Sequence, residues 1–539
     1  MAAAPDTAAA APAAARFRLV RPASALVRLA LALSSGALLA TAFAPLSFWP
    51  LAILCPAVLM WLWQDAPPRE AARLGFWFTF ATFVCGTYWL YFSVHILGHA
   101  PIWLAFFLML GLAAIMGLYH AGLGYVVARF LPARGLVRWL LALPAAWMLL
   151  EWWRGWFLSG FSWLSLGYSQ TDTWLTGYAP IAGIYGLSLL LLVSAGALVA
   201  LALADLRGRL VALAVLILTW ALGAALYRQA WTHPAGAPVT VAVIQGAIPE
   251  DEKWQENNRE TTLSIYQSLT ERVLGAQIIV WPEAAIPDLA NNVVPFLTSL
   301  SQEARAHGSS LVLGVLRADG PDDNLRVYNS VLALGGTVAW YDKRHLVPFG
   351  EFFPVPSFVR SWMRLMSLPY ADFTRGAANQ APLPAGGLKL GATICYEDAY
   401  GASMLGVVGQ ADALVNITND AWFGHSTARG QHFQIARLRA IEQGRYLVRA
   451  ANDGISGVIG PNGEVIALAP EFVQYALVSK IVPMKGLTPY AYVGNYLAVI
   501  LAALVLAYGL WVRNDRGARA GKEPASRPTE ADVSHDPQV

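Results

Sequence analysis

Three polar residues each close an apolar, β-prone run, and their types fit nucleophilic chemistry. Gly391-Ala-Thr-Ile-Cys-Tyr-Glu-Asp398 ends in a thiol, Gln277-Ile-Ile-Val-Trp-Pro-Glu283 in a carboxylate and Val338-Ala-Trp-Tyr-Asp-Lys343 in an amine. A cysteine attacks as its thiolate, so it needs a base or a nearby positive charge. Attack on a carbonyl builds an oxyanion, which needs fixed donors. Glu283 is suited to take the proton of Cys395. Lys343 is suited to lower the thiol pKa and hold the oxyanion, with the backbone N–H after Cys395 as a second donor. Read singly, Glu283 also fits a turn or cap and Lys343 a solvated charge. Composition and spacing leave both readings open.

The elements that would position these residues are unevenly composed. Of 539 residues, 56% are hydrophobic and 13% charged, with 21 Trp, against about 25% charged in soluble domains. The charge deficit lies before Pro238 and after Ala491, while 239–485 reads as an ordinary soluble α/β chain. Cys55 and Cys85 fall in apolar runs and read as small buried hydrophobes. Three cysteines without a CxxC pair give no disulfide framework. His345, His425 and His432 lack HxxH or HExxH spacing, so neither a metal nor a cofactor is expected. The net charge of +3, confined to loops, argues against a nucleic-acid partner.

Runs of about 20 apolar residues can cross a hydrocarbon core of roughly 30 Å. Eight candidate spans are Ser24–Phe43, Trp49–Trp63, Ala72–His95, Ile102–Ala128, Leu136–Trp153, Ile181–Ala204, Leu210–Tyr227 and Tyr492–Val512. The first is longer than a signal-peptide core and reads as a retained helix. Arg16, Arg18, Arg21, Arg69, Arg73, Arg129, Arg134, Arg138, Arg207, Arg209, Arg513, Arg516, Arg519 and Lys522 fall in alternate loops. Basic loops mark the cytoplasmic side, which puts both termini inside and residues 239–485 outside. The expected organisation is a disordered cytoplasmic stretch over 1–20, seven membrane helices over 21–230, a periplasmic catalytic domain over 237–485, a last helix over 490–512 and a cytoplasmic tail over 513–539. The aromatic loop 151–180 reads either as an interfacial belt or as a floor beneath the external domain.

In the soluble part, short apolar runs alternate with helical periodicity, which predicts an α/β domain. Strands are expected at Val239–Gln245, Gln277–Trp281, Ser310–Val315, Ser330–Leu334, Thr337–Tyr341, Leu388–Cys395, Ala413–Thr418, Tyr446–Ala450 and Ser456–Ile459, with a hairpin turn at Asn462-Gly463. Arg437, Arg439, Glu442 and Arg445, at helical spacing near Gln431–Gln443, predict a salt-bridged face.

Glu283, Lys343 and Cys395, in that order and within Trp-Pro-Glu, Tyr-Asp-Lys and Cys-Tyr-Glu, resemble the Glu-Lys-Cys triad of the nitrilase (carbon–nitrogen hydrolase) superfamily. His345-Leu-Val-Pro-Phe-Gly-Glu351, Thr418-Asn-Asp-Ala-Trp-Phe-Gly424, Gln431-His-Phe-Gln434 and Gly486-Leu-Thr-Pro-Tyr490, with the arrangement of spans, resemble the apolipoprotein N-acyltransferase family within it. The resemblance implies a polytopic α-helical membrane domain plus a nitrilase-like domain built as an α-β-β-α sandwich. It implies ping-pong transfer of the sn-1 acyl chain of a phospholipid, typically phosphatidylethanolamine. The chain passes through a Cys395 thioester to the N-terminal amine of an S-diacylglyceryl-cysteine apolipoprotein. Catalytic roles would fall to Glu283, Lys343 and Cys395, with Glu351, Tyr396, Glu397, Trp254 and Trp422 in support. A monomer in the bacterial inner membrane is expected. The rival is a membrane-tethered amidase acting on a small C–N compound. Pro354–Phe373, with Phe358, Trp362, Met363, Leu365, Met366 and Leu368 among Arg360 and Arg364, reads either as an amphipathic lid or as a plain surface helix.

Overall fold

The structure is a computed structural model that describes residues 21–321, 325–348, 350–352 and 373–520. The expected lid, apart from Phe373, lies outside the described residues.

The N-terminal half is helical: α1 (Ala25–Leu39), α2 (Leu51–Leu62), α3 (Pro68–Gly86), α4 (Ile102–Phe130), α5 (Leu143–Arg154), α6 (Ala179–Leu203) and α7 (Leu206–Tyr227). Five described helices are long and apolar enough to cross a membrane: Ala25–Ala42, Ile102–Phe130, Trp174–Leu203, Leu206–Tyr227 and Tyr496–Asn514. A sixth is reached if Pro68–Gly86 and Trp89–Leu97, bent by 53°, count as one span. Helix α2 differs from expectation, because its 12 residues rise only about 18 Å. Cys55 is buried as expected, whereas Cys85 is exposed on α3.

In the soluble half, β-branched runs that can be covered on both faces become strands. They are β1 (Val239–Gln245), β2 (Ile278–Val280), β3 (Ile286–Leu289), β4 (Ser310–Asp319), β5 (Arg326–Leu334), β6 (Val338–Asp342), β7 (Leu383–Ala385), β8 (Leu388–Ile394), β9 (Ala413–Thr418), β10 (Leu447–Ala451), β11 (Gly457–Ile459), β12 (Val465–Leu468) and β13 (Tyr475–Ile481). One sheet runs β13-β1-β2-β4-β5-β6, with β3 beside β4, and the other runs β12-β11-β10-β9-β8-β7. Strands β1, β2 and β4 are parallel neighbours, as are β8, β9 and β10. The expected Asn462-Gly463 turn joins β11 to β12, and Gly463 takes the φ of +82° such a turn demands. The short β3 and β7 and the edge strand β13 carry no sequence signal that separates them from loop.

The sheets pack face to face through Val241, Val243, Val280 and Val312 against Leu390, Ile394, Val415 and Ile417, all buried. Full burial of each contributes about 1.5–3 kcal/mol. Helices α8 (Arg259–Glu271) and α9 (Val294–Ala306) cover the outer face of the first sheet through Tyr266, Leu269, Leu297 and Leu300. Helix α10 (Ala428–Gln443) covers the second through Phe433, Ala436 and Ala440. This is the α-β-β-α sandwich.

The other side of α10 packs Ile435, Leu438 and Ile441 into the same buried cluster as the apolar helices. The expected salt-bridged face is therefore an interior contact. Arg439, Glu442 and Arg445 are buried, and Arg439 pairs with Glu442 at 3.0 Å. Of the four residues, only Arg437 reaches an exposed partner, Asp172. The chain closes with α11 (Tyr496–Ala520), packed on α5 and α6.

Candidate active site

The ends of the parallel strands bring the expected residues together. Glu283 follows β2, Lys343 follows β6 and Cys395 follows β8. Strands β4, β5 and β6 are successively antiparallel, so β6 runs with β2 and delivers Lys343 to the same edge as Glu283. Lys343 Nζ donates to Glu283 Oε1 at 3.1 Å and to Glu351 Oε1 at 2.8 Å. It is 1% exposed, and a buried ammonium is tolerated only when paired in this way. Burial alone would lower its pKa, but the two carboxylates outweigh burial and hold it charged. Burial would raise Glu283, yet Lys343 and the Asn329 amide keep it below the usual carboxylate range.

Glu351 completes a closed frame. Its Oε2 accepts from Val347 N at 2.8 Å, and Asn329 Nδ2 bridges it to Glu283 at 2.9 and 2.6 Å. From the second sheet, Asn419 N donates to Glu283 Oε2 at 2.9 Å, so this carboxylate is held by both halves of the sandwich. Lys253 Nζ donates to the Glu283 carbonyl at 3.3 Å. Asn329, Asn419 and Lys253 were not legible as site residues. An asparagine in or after a strand, like a lysine in a short acidic stretch, reads as surface.

Cys395 begins a turn with φ +50°, a left-handed conformation that costs a non-glycine residue roughly 1–2 kcal/mol. Strained backbone of this kind clusters where a side chain must be presented. Burial and the Glu283 carboxylate push the thiol well above its usual range, with Lys343 opposing. The resting sulfur is therefore a thiol beside an ionised carboxylate and an ammonium.

Glu397 does not face the thiol. Its Oε1 accepts from Arg344 N at 2.6 Å and His345 N at 3.0 Å. Its Oε2 accepts from Ile394 N and Tyr341 Oη at 2.8 and 2.9 Å, and so ties the strand end before Cys395 to the turn after Lys343. Tyr396 lies against the helical half: its ring stacks on Trp163 at 6.2 Å, and its hydroxyl accepts from Tyr400 Oη at 3.1 Å. Trp254 and Trp422 are 48% and 43% exposed. Trp254 Nε1 is linked to Glu283 through Glu250 and Asn419. The Trp422 carbonyl accepts from Ser93 Oγ beside the bent span.

The aromatic loop divides between exposed and buried residues. Trp156 and Trp174 face outward. Trp163, Ser162 and Tyr168 form the floor: Trp163 Nε1 donates to Gln431 Oε1 at 2.6 Å, and the two hydroxyls donate to the Ala399 carbonyl at 3.2 Å. His345 Nε2 lies 3.1 Å from the Ser159 carbonyl.

Residues 35–197 match the family model described as the apolipoprotein N-acyltransferase N-terminal domain, and 240–483 match the carbon–nitrogen hydrolase model. The chain is 41% identical over 474 residues to an apolipoprotein N-acyltransferase of Methylococcus capsulatus, a match that covers 88% of this chain and 94% of that one. The corresponding protein of Azotobacter vinelandii is 38% identical, with 92% and 96% covered. That of Chromobacterium violaceum is 40% identical, with 90% and 94% covered. Similarity of this extent, spanning the apolar helices and the sandwich alike, places the chain in the apolipoprotein N-acyltransferase family, as a multi-pass bacterial membrane protein carrying a carbon–nitrogen hydrolase domain.

Proposed function

We propose that this enzyme moves the sn-1 acyl chain of a phospholipid, typically phosphatidylethanolamine, onto the N-terminal amine of an S-diacylglyceryl-cysteine apolipoprotein. The observation that carries the reading is the buried Lys343 between Glu283 and Glu351 at 3.1 and 2.8 Å. This frame stands beside a strained Cys395 whose neighbours Tyr396 and Ala399 pack into the apolar-helix core. In the first step Glu283 takes the thiol proton as sulfur attacks the sn-1 carbonyl, and Lys343 stabilises the oxyanion. The C–O bond breaks, the lysophospholipid oxygen receives the proton from Glu283, and an acyl thioester remains on Cys395. In the second step the acceptor amine attacks the thioester. Glu283 carries the amine proton to the departing sulfur, the C–S bond breaks and the amide forms. A floor of apolar helices suits a lipid donor and keeps water from the thioester, which a water-using amidase would not need.

The arginines of alternate loops support an orientation with both termini in the cytoplasm, the sandwich in the periplasm and the spans in the inner membrane. The domain limits follow: helices over 21–230, sandwich over 237–485, last span over 490–512, flanked by cytoplasmic segments. The protein acts as a monomer.

Membranes given a phospholipid labelled in its sn-1 chain test the reading. A hydroxylamine-sensitive label should appear on the wild-type chain and vanish with Cys395→Ala. Glu283→Gln should slow labelling by about 10²–10⁴-fold, and Lys343→Met by about 10²–10³-fold. A label that survives Cys395→Ala sinks the proposal. Glu283 lies below its ordinary 4.5, so it stays ionised as pH falls through that value, and the acid limb of thioester formation should lie below pH 4.5.

A further inference from the structure

Beneath Cys395 lies a polar cluster that these steps do not use. His432, on α10, places Nε2 3.0 Å from Asp398 Oδ1 and 3.3 Å from the Cys395 carbonyl oxygen. Its Nδ1 lies 2.8 Å from Asp420 Oδ1. Arg449, on β10, donates to the second oxygen of each carboxylate, Asp398 Oδ2 at 3.2 Å and Asp420 Oδ2 at 3.0 Å, and to Asn416 Oδ1. His432, Asp398, Asp420 and Arg449 are each 0% exposed.

A carboxylate oxygen on each ring nitrogen calls for an N–H on both, so the ring is an imidazolium. Two carboxylates then balance two cations, as burial demands. Arg449 Nη2 lies 2.9 Å from Nδ1, a close approach of two cations that is tolerable because both share Asp420. Burial alone would lower the imidazole pKa, but Asp398 and Asp420 outweigh burial and Arg449 and lift it to about 9. Among the described residues, Asp398, Asp420 and Arg449 are the titratable or charged groups facing the ring. Trp163 and Phe423 close the remaining sides, at 5.6 and 6.1 Å between centroids.

A left-handed cysteine persists only where its surroundings hold it. Among the described residues, the side-chain donors that reach the Cys395 carbonyl are His432 Nε2 at 3.3 Å and Asn416 Nδ2 at 3.5 Å. We propose that His432 is a positioning residue for acyl transfer: clamped between Asp398 and Asp420, its Nε2–H holds the Cys395 carbonyl and fixes the left-handed turn from which the thiol reacts. This rests on reading Cys395 as the acyl-accepting nucleophile.

The test uses the full chain in proteoliposomes containing phospholipid labelled at sn-1. With His432→Gln, single-turnover thioester formation should slow by roughly 10²-fold, the usual cost of a small misplacement, with half-saturating donor unchanged. At pH 7, where the ring carries its charge, alkylation of Cys395 by iodoacetamide should slow with His432→Gln, because the cluster beneath the thiol turns net negative and the thiolate fraction falls. Asp398→Asn, which leaves the ring but removes a negative charge, should also slow thioester formation, yet not slow alkylation. Arg437→Ala, on the same helix but paired outward with Asp172, should leave both rates at wild-type values.

Slower alkylation with His432→Gln but not with Asp398→Asn supports the positioning role. Unchanged alkylation or a wild-type single-turnover rate with His432→Gln, or slower alkylation in both variants, overturns it. A wild-type chain that takes no label would defeat the acyl-transfer reading instead, and the alkylation rates would still judge His432.

Discussion

The sandwich covers its two sheets with helices that occupy equivalent places and differ in what lies beyond them. On the first sheet α8 and α9 are amphipathic, burying Tyr266 and Leu269 or Leu297 and Leu300 and leaving their other faces exposed. On the second, α10 buries 14 of its 16 residues, because apolar helices cover the face that would otherwise meet water. Its polar side chains consequently serve the backbone of those helices. Gln431 Nε2 donates to the Gly86 carbonyl at the end of α3, Gln434 Oε1 accepts from Ala44 N, and Glu442 Oε1 accepts from Ile184 N at 2.8 Å. In one sandwich, the same layer is a surface on one side and a joint on the other.

The same substitution on the two helices should break this comparison open. Arg439→Met leaves the buried Glu442 without its cation, a loss of about 3–5 kcal/mol, read as a large drop in the unfolding midpoint in detergent. A smaller effect is expected from pH at the loop contact of His345. Burial and the Arg375 charge hold its pKa near 4 against an ordinary 6.5. A depressed value means that the buried neutral ring supports the fold above pH 6.5 and that this support is lost as pH falls toward 4, because burial and Arg375 disfavour the charged ring. Unfolding midpoints should decline across that window, less steeply in His345→Gln. Trp163→Phe keeps the floor's ring but loses the bond to Gln431, costing about 1 kcal/mol. Arg259→Met on α8 removes a pair with Asp288 in which the arginine is 37% exposed, and should cost under about 1 kcal/mol. Equal losses for Arg439→Met and Arg259→Met would refute the distinction between joint and surface.

Most of the sandwich was legible because buried parallel strands have an unambiguous signature. Val239–Gln245 and Ala413–Thr418 were expected at the bounds observed. The three strand-end residues were legible for the same reason, since a polar side chain directly after such a run sits at a sheet edge. The frame around them was not, because Asn329 and Asn419 act through a packing that joins segments far apart in the chain. The salt bridge within α10 was legible and its burial was not, because charges three residues apart look alike whether the helix meets water or a second layer of protein. Cys85 was misread similarly, since an apolar run marks a helix in lipid without saying which face turns to protein.

The bond from Ile184 to Glu442 carries a consequence for biogenesis. Helix α6 breaks its regular backbone at Gly183, with φ +62°, where a side chain would collide with the Tyr490 ring. The acceptor that serves the next amide is encoded 258 residues later. At a synthesis rate of roughly 5–20 residues per second, the amide waits on the order of ten to fifty seconds for its partner. Insertion and docking are therefore separate events, and the helical half reaches its final hydrogen bonding only after α10 of the sandwich has been made and seated.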